Sequence, residues 1–310
     1  METDIEIFDD AWVFLMEGTN NVADYYLSGK SIPESVVSGW TKLLQDRIDF
    51  CSEIGARYFH VSAPEKLGVY PEKTGLDVSV DNSPASQIQR NLTENIKANS
   101  WINPADFLRS QKLSFKVYSK TDSHWNFYGA YSTYQLIQSR LGYPINRKIL
   151  EQNKVEKWGV MDLGGKYDPP LMEKVYYYTL SDNVTRTYAN PIVEYKEREN
   201  RLNEAGLHVG SHVVFKNSAP LVNESLVLFG DSFSEYRGHL LTGMLAETYA
   251  EVHFIWHASL DKNLLKKLKP GIVITELAER FMPRAVPADL FRLDEYETEI
   301  VSRYSEQAAA

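Results

Sequence analysis

The hydrophobic positions of the chain switch between two periods, and the order of the switches predicts a layered fold. Between Ser35 and Gly55, the residues Val36, Val37, Trp40, Leu43, Leu44, Ile48, Cys51 and Ile54 recur at steps of three and four, the spacing that lines one face of a helix. Gly55 stands where a helix C-terminal cap belongs. The next run, Arg57-Tyr58-Phe59-His60-Val61-Ser62-Ala63, reads as a buried strand ended by Pro64, which cannot continue a ladder. Helix followed by buried strand is the beat of an α/β sheet. Residues 5–16 predict a short apolar strand or paired edge segment, 87–96 a helix, Leu113–Tyr118 a short strand, and 129–141 a helix closed by Gly142 and Pro144.

Between 146 and 225 the beat changes. Val175–Thr179, Thr185–Tyr188 and Val213–Phe215 predict short strands separated by Gly, Asn and Asp turns. The α/β beat resumes with the apolar run Ser225–Phe229 and a helical pattern from Leu240 to Tyr249. We therefore expect one α/β domain over residues 1–310. It has a mostly parallel central sheet, helices on both faces, and a β-rich insertion at about 146–225.

Candidate chemistry follows two of the predicted strands. In Thr121-Asp122-Ser123-His124-Trp125, extended backbone would put residues two apart on the same side. The Asp122 carboxylate could then orient the His124 ring and stabilise its charged form, as a general base requires. The competing reading is that Asp122 caps a helix beginning near His124. The run Ser225–Phe229 leads directly into Gly230-Asp231-Ser232-Phe233-Ser234. A serine at a strand-to-helix junction has its hydroxyl near free backbone N–H groups and the positive end of the helix dipole, which together can hold an oxyanion. Gly230 would permit a tight turn and close approach of substrate. Here the competing reading is that Ser232 is a plain N-cap.

Composition narrows the function classes. With 310 residues, 43% of them hydrophobic, the chain can bury a sizeable core. A net charge of −9 argues against nucleic acid or another polyanion as a general partner. The single cysteine, Cys51, excludes an intramolecular disulfide and a cysteine-built metal site. His208/His212 and His253/His257 have the His-x-x-x-His spacing but lack the glutamate that metalloproteases need, so no metal is expected. No window approaches eighteen apolar residues, so no membrane span is expected. The acidic N-terminus has no basic segment followed by an apolar one. This predicts a cytoplasmic protein if Met1 is the natural start; a chain trimmed of an export signal would read the same and be periplasmic.

The two motifs carry a resemblance. Gly230-Asp231-Ser232-Phe233-Ser234 resembles the nucleophile block of the SGNH (GDSL-type) hydrolase superfamily, and Asp122-x-His124 resembles its Asp-x-x-His partner shortened by one residue. The order here, Asp-His before Ser, is permuted relative to ordinary GDSL esterases. With Thr-Asp-Ser-His-Trp-Asn-x-x-Gly-Ala, that order resembles the SGNH-like polysaccharide O-acetyltransferases of the alginate-acetylation (AlgJ/AlgX) type. Asp10-Ala11-Trp12-Val13-Phe14-Leu15, Ser62-Ala63-Pro64-Glu65-Lys66, Val69-Tyr70-Pro71-Glu72, Met161-Asp162-Leu163-Gly164 and Glu276-Leu277-Ala278-Glu279-Arg280 resemble further segments of that family, so the similarity covers nearly the whole chain.

The resemblance implies an SGNH-hydrolase-like, flavodoxin-like sandwich. It implies Ser232 as nucleophile, His124 as general base and then acid, and Asp122 as the residue orienting His124. Backbone N–H groups around Ser232 and Phe233 would hold the oxyanion, Arg280 would add a donor, and Trp125 would stack on sugar. The activity implied is O-acyl transfer, most simply acetyl, to a carbohydrate or polysaccharide hydroxyl through an acyl-enzyme. A carbohydrate acetylesterase or a non-catalytic glycan-binding module are the alternatives. No cofactor is implied beyond an acyl donor, either acetyl-CoA or an acylated, membrane-bound partner; no Gly-rich phosphate loop marks a CoA site. The family is usually exported by a signal peptide or membrane anchor, and neither is visible in this sequence.

Overall fold

The structure, a computed structural model, describes residues 4–17, 20–202 and 204–309. Its strands are β1 (Ile5–Phe8), β2 (Trp12–Leu15), β3 (Arg57–Ala63), β4 (Trp101–Ile102), β5 (Lys154–Val160), β6 (Met172–Tyr178), β7 (Val184–Ala189), β8 (His212–Asn217), β9 (Val222–Gly230), β10 (Tyr249–Trp256) and β11 (Ile272–Ala278). Seven of them form one sheet in the order β4-β3-β11-β9-β10-β8-β7. The first five run parallel; β8 joins antiparallel to β10, and β7 pairs antiparallel with β8 at the edge. The α/β class and mostly parallel sheet expected from the sequence are present.

Strand side chains alternate between faces, and here both faces are buried. Leu226 and Leu228 of β9, with Ile272 and Ile274 of β11, pack in one core with Tyr134 and Ile137 of the Phe127–Leu141 helix and Met244 of the Leu241–Ala246 helix. Val227, Phe229 and Val273 point the other way, onto Trp40, Leu44 and Cys51 of the Glu34–Glu53 helix. That explains why these strands read as unbroken apolar runs. The Glu34–Glu53 helix is also pinned by a buried ion pair. Arg47 donates from Nε and Nη2 to the two carboxylate oxygens of Asp289 at 2.9 and 2.7 Å, and Asp289 also accepts the Leu260 N–H.

Several expected elements differ. Residues 5–16 fold as the β1–β2 hairpin. The helix expected at 87–96 is two helices, Pro84–Asn91 and Glu94–Asn99, because Thr93 caps the second. Leu113–Tyr118 is not a strand: Leu113 is exposed and only Tyr118 pairs, in an isolated bridge with Trp125. The helical pattern Leu240–Tyr249 stops at Ala246, and Tyr249 opens β10. The β-rich stretch 146–225 divides. β5 and β6 form a separate two-stranded ribbon, whereas β7 and β8 extend the main sheet.

Because β3, β9, β10 and β11 are parallel, their carboxyl ends fall on one edge of the sheet. The segments Pro64–Lys66, Asp231–Ser234 and Glu279–Arg280 leave the sheet there, the edge at which open α/β sheets bind ligands.

Candidate active site

Ser232 follows β9 by two residues, and the turn that carries it is built by Asp231. One Asp231 oxygen accepts the Phe233 N–H at 2.9 Å and the other accepts the Ala278 N–H at 2.8 Å, tying the end of β9 to the end of β11. Glu276 of β11 accepts the Asp231 N–H at 3.2 Å. Gly230 is required by this packing: a Cβ there would lie 2.8 Å from the Ser234 Cβ and 3.2 Å from a Glu276 oxygen. Gly230 therefore serves the turn itself.

His124 comes from a loop that runs back over the Phe127–Leu141 helix. Gly129 on that helix makes room, since a Cβ there would collide with the Val117 carbonyl and Trp125. One oxygen of Asp122 accepts both the His124 backbone N–H at 3.0 Å and the His124 Nδ1 hydrogen at 2.8 Å. The ring is thereby fixed from two directions. Helix capping falls to Asn126, whose side chain accepts from the Tyr128 and Gly129 N–H groups, so the capping alternative for Asp122 is excluded. His124 Nε2 lies 2.8 Å from Ser232 Oγ. With Nδ1–H assigned to Asp122 by this network, Nε2 is the acceptor for the serine hydroxyl.

The loop is braced from several sides. The buried Lys66 ammonium, just past β3, donates to the carbonyls of Ser119, Lys120 and Asp122 at 3.1, 2.8 and 2.6 Å. Burial pulls its pKa down to about 8, against the pull of the Asp122 and Asp162 carboxylates. Asp162, after β5, accepts the Ser123 N–H at 2.7 Å and also the Ser123 hydroxyl, and lies 3.8 Å from His124 Nδ1. Glu173 of β6 accepts the Thr121 N–H and hydroxyl at 2.7 and 2.8 Å.

These charges set the protonation of the site. Burial opposes a charged His124, but the Asp122 hydrogen bond and the Asp122 and Asp162 charges outweigh it and hold the ring above the ordinary imidazole range. Asp122 is pushed up, chiefly by burial, despite its partner His124. Asp162 is pulled down: partial desolvation is overcome by the His124 charge and the Ser123 hydrogen bonds. Asp122, His124 and Asp162 bring three ligand atoms within 4.8 Å of one another. Each is already engaged, since Nδ1 belongs to Asp122 and Asp162 to Ser123. A metal ion there would have to dismantle the pairing that orients His124.

Ser232 and His124 open into a cleft of about 1010 Å³. No protein-family model matches the sequence, and no curated protein sequence matches it significantly. Solved structures do match. Bacillus cereus PatB1, determined with a sulfonyl adduct, superposes with a TM-score of 0.61 at 17% identity, over 90% of this chain and 95% of that one. A DHHW family protein from Eubacterium siraeum gives 0.60 at 14% identity, over 98% and 96%. The O-acetyltransferase domain of Pseudomonas putida AlgJ gives 0.54 at 14% identity, over 96% and 99%. The chain shares their fold.

Within this fold the other expected site residues take different places. Phe233 is fully buried, its ring against His124 and Trp125 at centroid distances of 4.8 and 4.9 Å. Its N–H is held by Asp231 and is not free for an oxyanion. Among the described residues nothing accepts the Ser232 N–H. No helix begins at Ser232; residues 231–240 are turns and bends, and the next helix starts at Leu241, so the expected strand-to-helix junction is absent. Trp125 is 1% exposed and donates its indole N–H to the Phe233 carbonyl at 2.9 Å, which leaves no ring face for a sugar. Arg280 is buried, its Nε on Glu65 at 2.7 Å, its Nη1 3.5 Å from the Ser123 hydroxyl and its guanidinium 5.5 Å from the Phe233 ring, and it is not among the residues lining the cleft.

The histidine pairs separate. His212 and His253 hydrogen-bond each other at 3.1 Å, while His208 stacks on Trp256 and His257 on Phe291. Lys66 and Asp162 were visible as residue types inside the family-like segments, but no local spacing marks either as a brace of the His124 loop. Among the described residues no helix is long and apolar enough to cross a membrane.

Proposed function

We propose that this protein is an O-acyltransferase, acetyl being the simplest acyl group, that acts on a carbohydrate hydroxyl. The observation that carries the reading is the continuous relay Asp122–His124–Ser232, with both side-chain distances at 2.8 Å. Paired Ser and His within hydrogen-bond reach, the His oriented by a third group, is the arrangement of an activated nucleophile. The shared fold of the AlgJ O-acetyltransferase domain supports the same chemistry.

In this mechanism His124 Nε2 takes the Ser232 proton as Oγ attacks the acyl carbonyl. The resulting oxyanion is placed to use the free Ser232 N–H, and Asp122 stabilises the imidazolium. As the tetrahedral species collapses, the donor's leaving group departs with the proton from Nε2, giving the acyl-serine. A sugar hydroxyl in the cleft then gives its proton to Nε2 and attacks the ester, and as the second tetrahedral species collapses to the sugar ester, Nε2 returns the proton to Ser232 Oγ. The protein needs no cofactor for these steps; the acyl group arrives on a donor, acetyl-CoA or an acylated partner.

The deciding experiment is p-nitrophenyl acetate turnover by wild type and Ser232→Ala, with and without oligosaccharide, the products read by mass spectrometry. Ser232-dependent turnover with an acetyl mass gain on the sugar is expected. Acetate release alone would make the protein an esterase, and equal background in both proteins would remove the relay from the chemistry. A sulfonyl fluoride, the reagent class suggested by the adduct on PatB1, is expected to label Ser232.

A further inference from the structure

The β5–β6 ribbon stands apart from the main sheet, and beyond its Lys154–Tyr178 end, where Tyr178 is buried against Phe127, one of its faces is open. Its register pairs Glu156 with Tyr176, Trp158 with Lys174, and Val160 with Met172. Alternation along each strand puts these six residues on the same side. There Trp158 is 63% exposed, Met172 54%, Val160 46% and Tyr176 43%. An exposed apolar patch rimmed by polar groups marks a contact surface.

The face is continuous with the catalytic cleft, because Glu156, Val160, Lys174 and Tyr176 line the same cavity as His124 and Ser232. It is also registered to the triad. Asp162, just beyond β5, holds Ser123, and Glu173 of β6 holds Thr121, so a ligand seated on the ribbon is positioned relative to Ser232.

The chemistry of the face selects the occupant. The Lys174 ammonium lies 5.9 Å from the Trp158 ring and 3.3 Å from Glu156, and the Lys154 ammonium lies 5.4 Å from the Tyr176 ring. Each ring thus has a lysine ammonium over it, and Glu156 lies beside Lys174. A sugar ring presents apolar C–H faces and hydroxyl edges, which match an aromatic surface bordered by donors and acceptors. The core of a protein–protein interface would instead be depleted of such charges. Trp158 and Tyr176 are diagonal cross-strand neighbours, close enough for one ligand to touch both.

We infer that the β5–β6 ribbon is a stacking platform for an extended carbohydrate chain, which Trp158 and Tyr176 hold while one of its hydroxyls reaches Ser232. This rests on the carbohydrate-acceptor reading above and adds where the sugars beyond the reacting one are held.

The test measures binding by calorimetry with the Ser232→Ala chain, which holds ligand without turnover. The probes are the hexasaccharides and disaccharides of β-1,4-linked glucose, N-acetylglucosamine and mannuronic acid. At least one hexasaccharide is expected to bind at least tenfold tighter than its disaccharide. Adding Trp158→Ala or, separately, Tyr176→Ala is expected to weaken the hexasaccharide about tenfold and bring the two lengths together. No binding by any hexasaccharide, equal affinity for both lengths, or hexasaccharide affinity unchanged in both double variants would overturn the platform. A dimer in solution that Trp158→Ala dissolves would also overturn it, since the face would then belong to a second copy. Binding here does not depend on acyl transfer, so the platform and the catalytic reading fail in different experiments.

Discussion

The indole N–H of Trp125 donates to the carbonyl oxygen of Phe233 at 2.9 Å. Each residue directly follows a member of the relay, Trp125 after His124 and Phe233 after Ser232. The hydrogen bond therefore joins the two segments that hold His124 Nε2 and Ser232 Oγ at 2.8 Å, the proposed base and nucleophile. Trp125→Phe keeps most of the ring volume but leaves a buried carbonyl unpaired, at about 1–3 kcal/mol of stability. Because small misplacements of reacting groups are costly, we expect kcat with p-nitrophenyl acetate to fall about tenfold or more, with KM little changed. A steady-state comparison checks it; wild-type kcat would show that the two segments are held together without this bond.

Lys66 performs the corresponding task for the loop as a whole. Lys66→Met preserves length and apolar volume but removes the one donor shared by the Ser119, Lys120 and Asp122 carbonyls. Hydrogen bonds from a charged donor are worth about 1.5–3 kcal/mol each, so a loss of stability on the order of 3 kcal/mol is expected in thermal or urea unfolding. In protein that remains folded, kcat should fall more than KM rises, because the loop positions His124 and not the substrate.

The pH dependence follows from the charges around His124. The ring must be neutral to accept the Ser232 proton, so activity rises with pH as His124 loses its own proton. Since the folded site holds the ring above its ordinary value of 6.5, the midpoint of the acidic limb of kcat/KM is expected above 6.5. The Asp162 charge contributes to that elevation. Asp162→Asn is therefore expected to move the limb to lower pH, whereas a role for Asp162 only in holding Ser123 would lower activity without moving it.

Asp289 separates fold from function. Asp289→Ala leaves the Arg47 guanidinium buried without its carboxylate, a change that costs about 3–5 kcal/mol and is readable as a lower denaturant midpoint. Neither residue lines the cleft, so kcat in folded protein is expected to match wild type. A large kcat loss without destabilisation would contradict the structural role given to this pair.

What the sequence determined by itself is local. The Glu34–Glu53 helix and β3 were legible because a three-to-four or apolar-run pattern, ended by Gly55 and Pro64, needs no distant partner to be recognised. Asp122 and His124 were legible as a pair because two residues of separation let one carboxylate reach both the backbone and the ring. Ser232 was legible because an apolar strand leads straight into it. Tertiary structure decided the rest. Ser232 meets His124 across 108 residues, Lys66 meets Asp122 across 56, and Asp162 meets Ser123 across 39. It also decided that Trp125 is sealed behind the base, that the Phe233 N–H is spent on Asp231, and that Trp158 stands open on the ribbon. Periodicity reports which side of an element is apolar; only the packing of elements fixes whether that side meets a core, a catalytic loop or an open cleft.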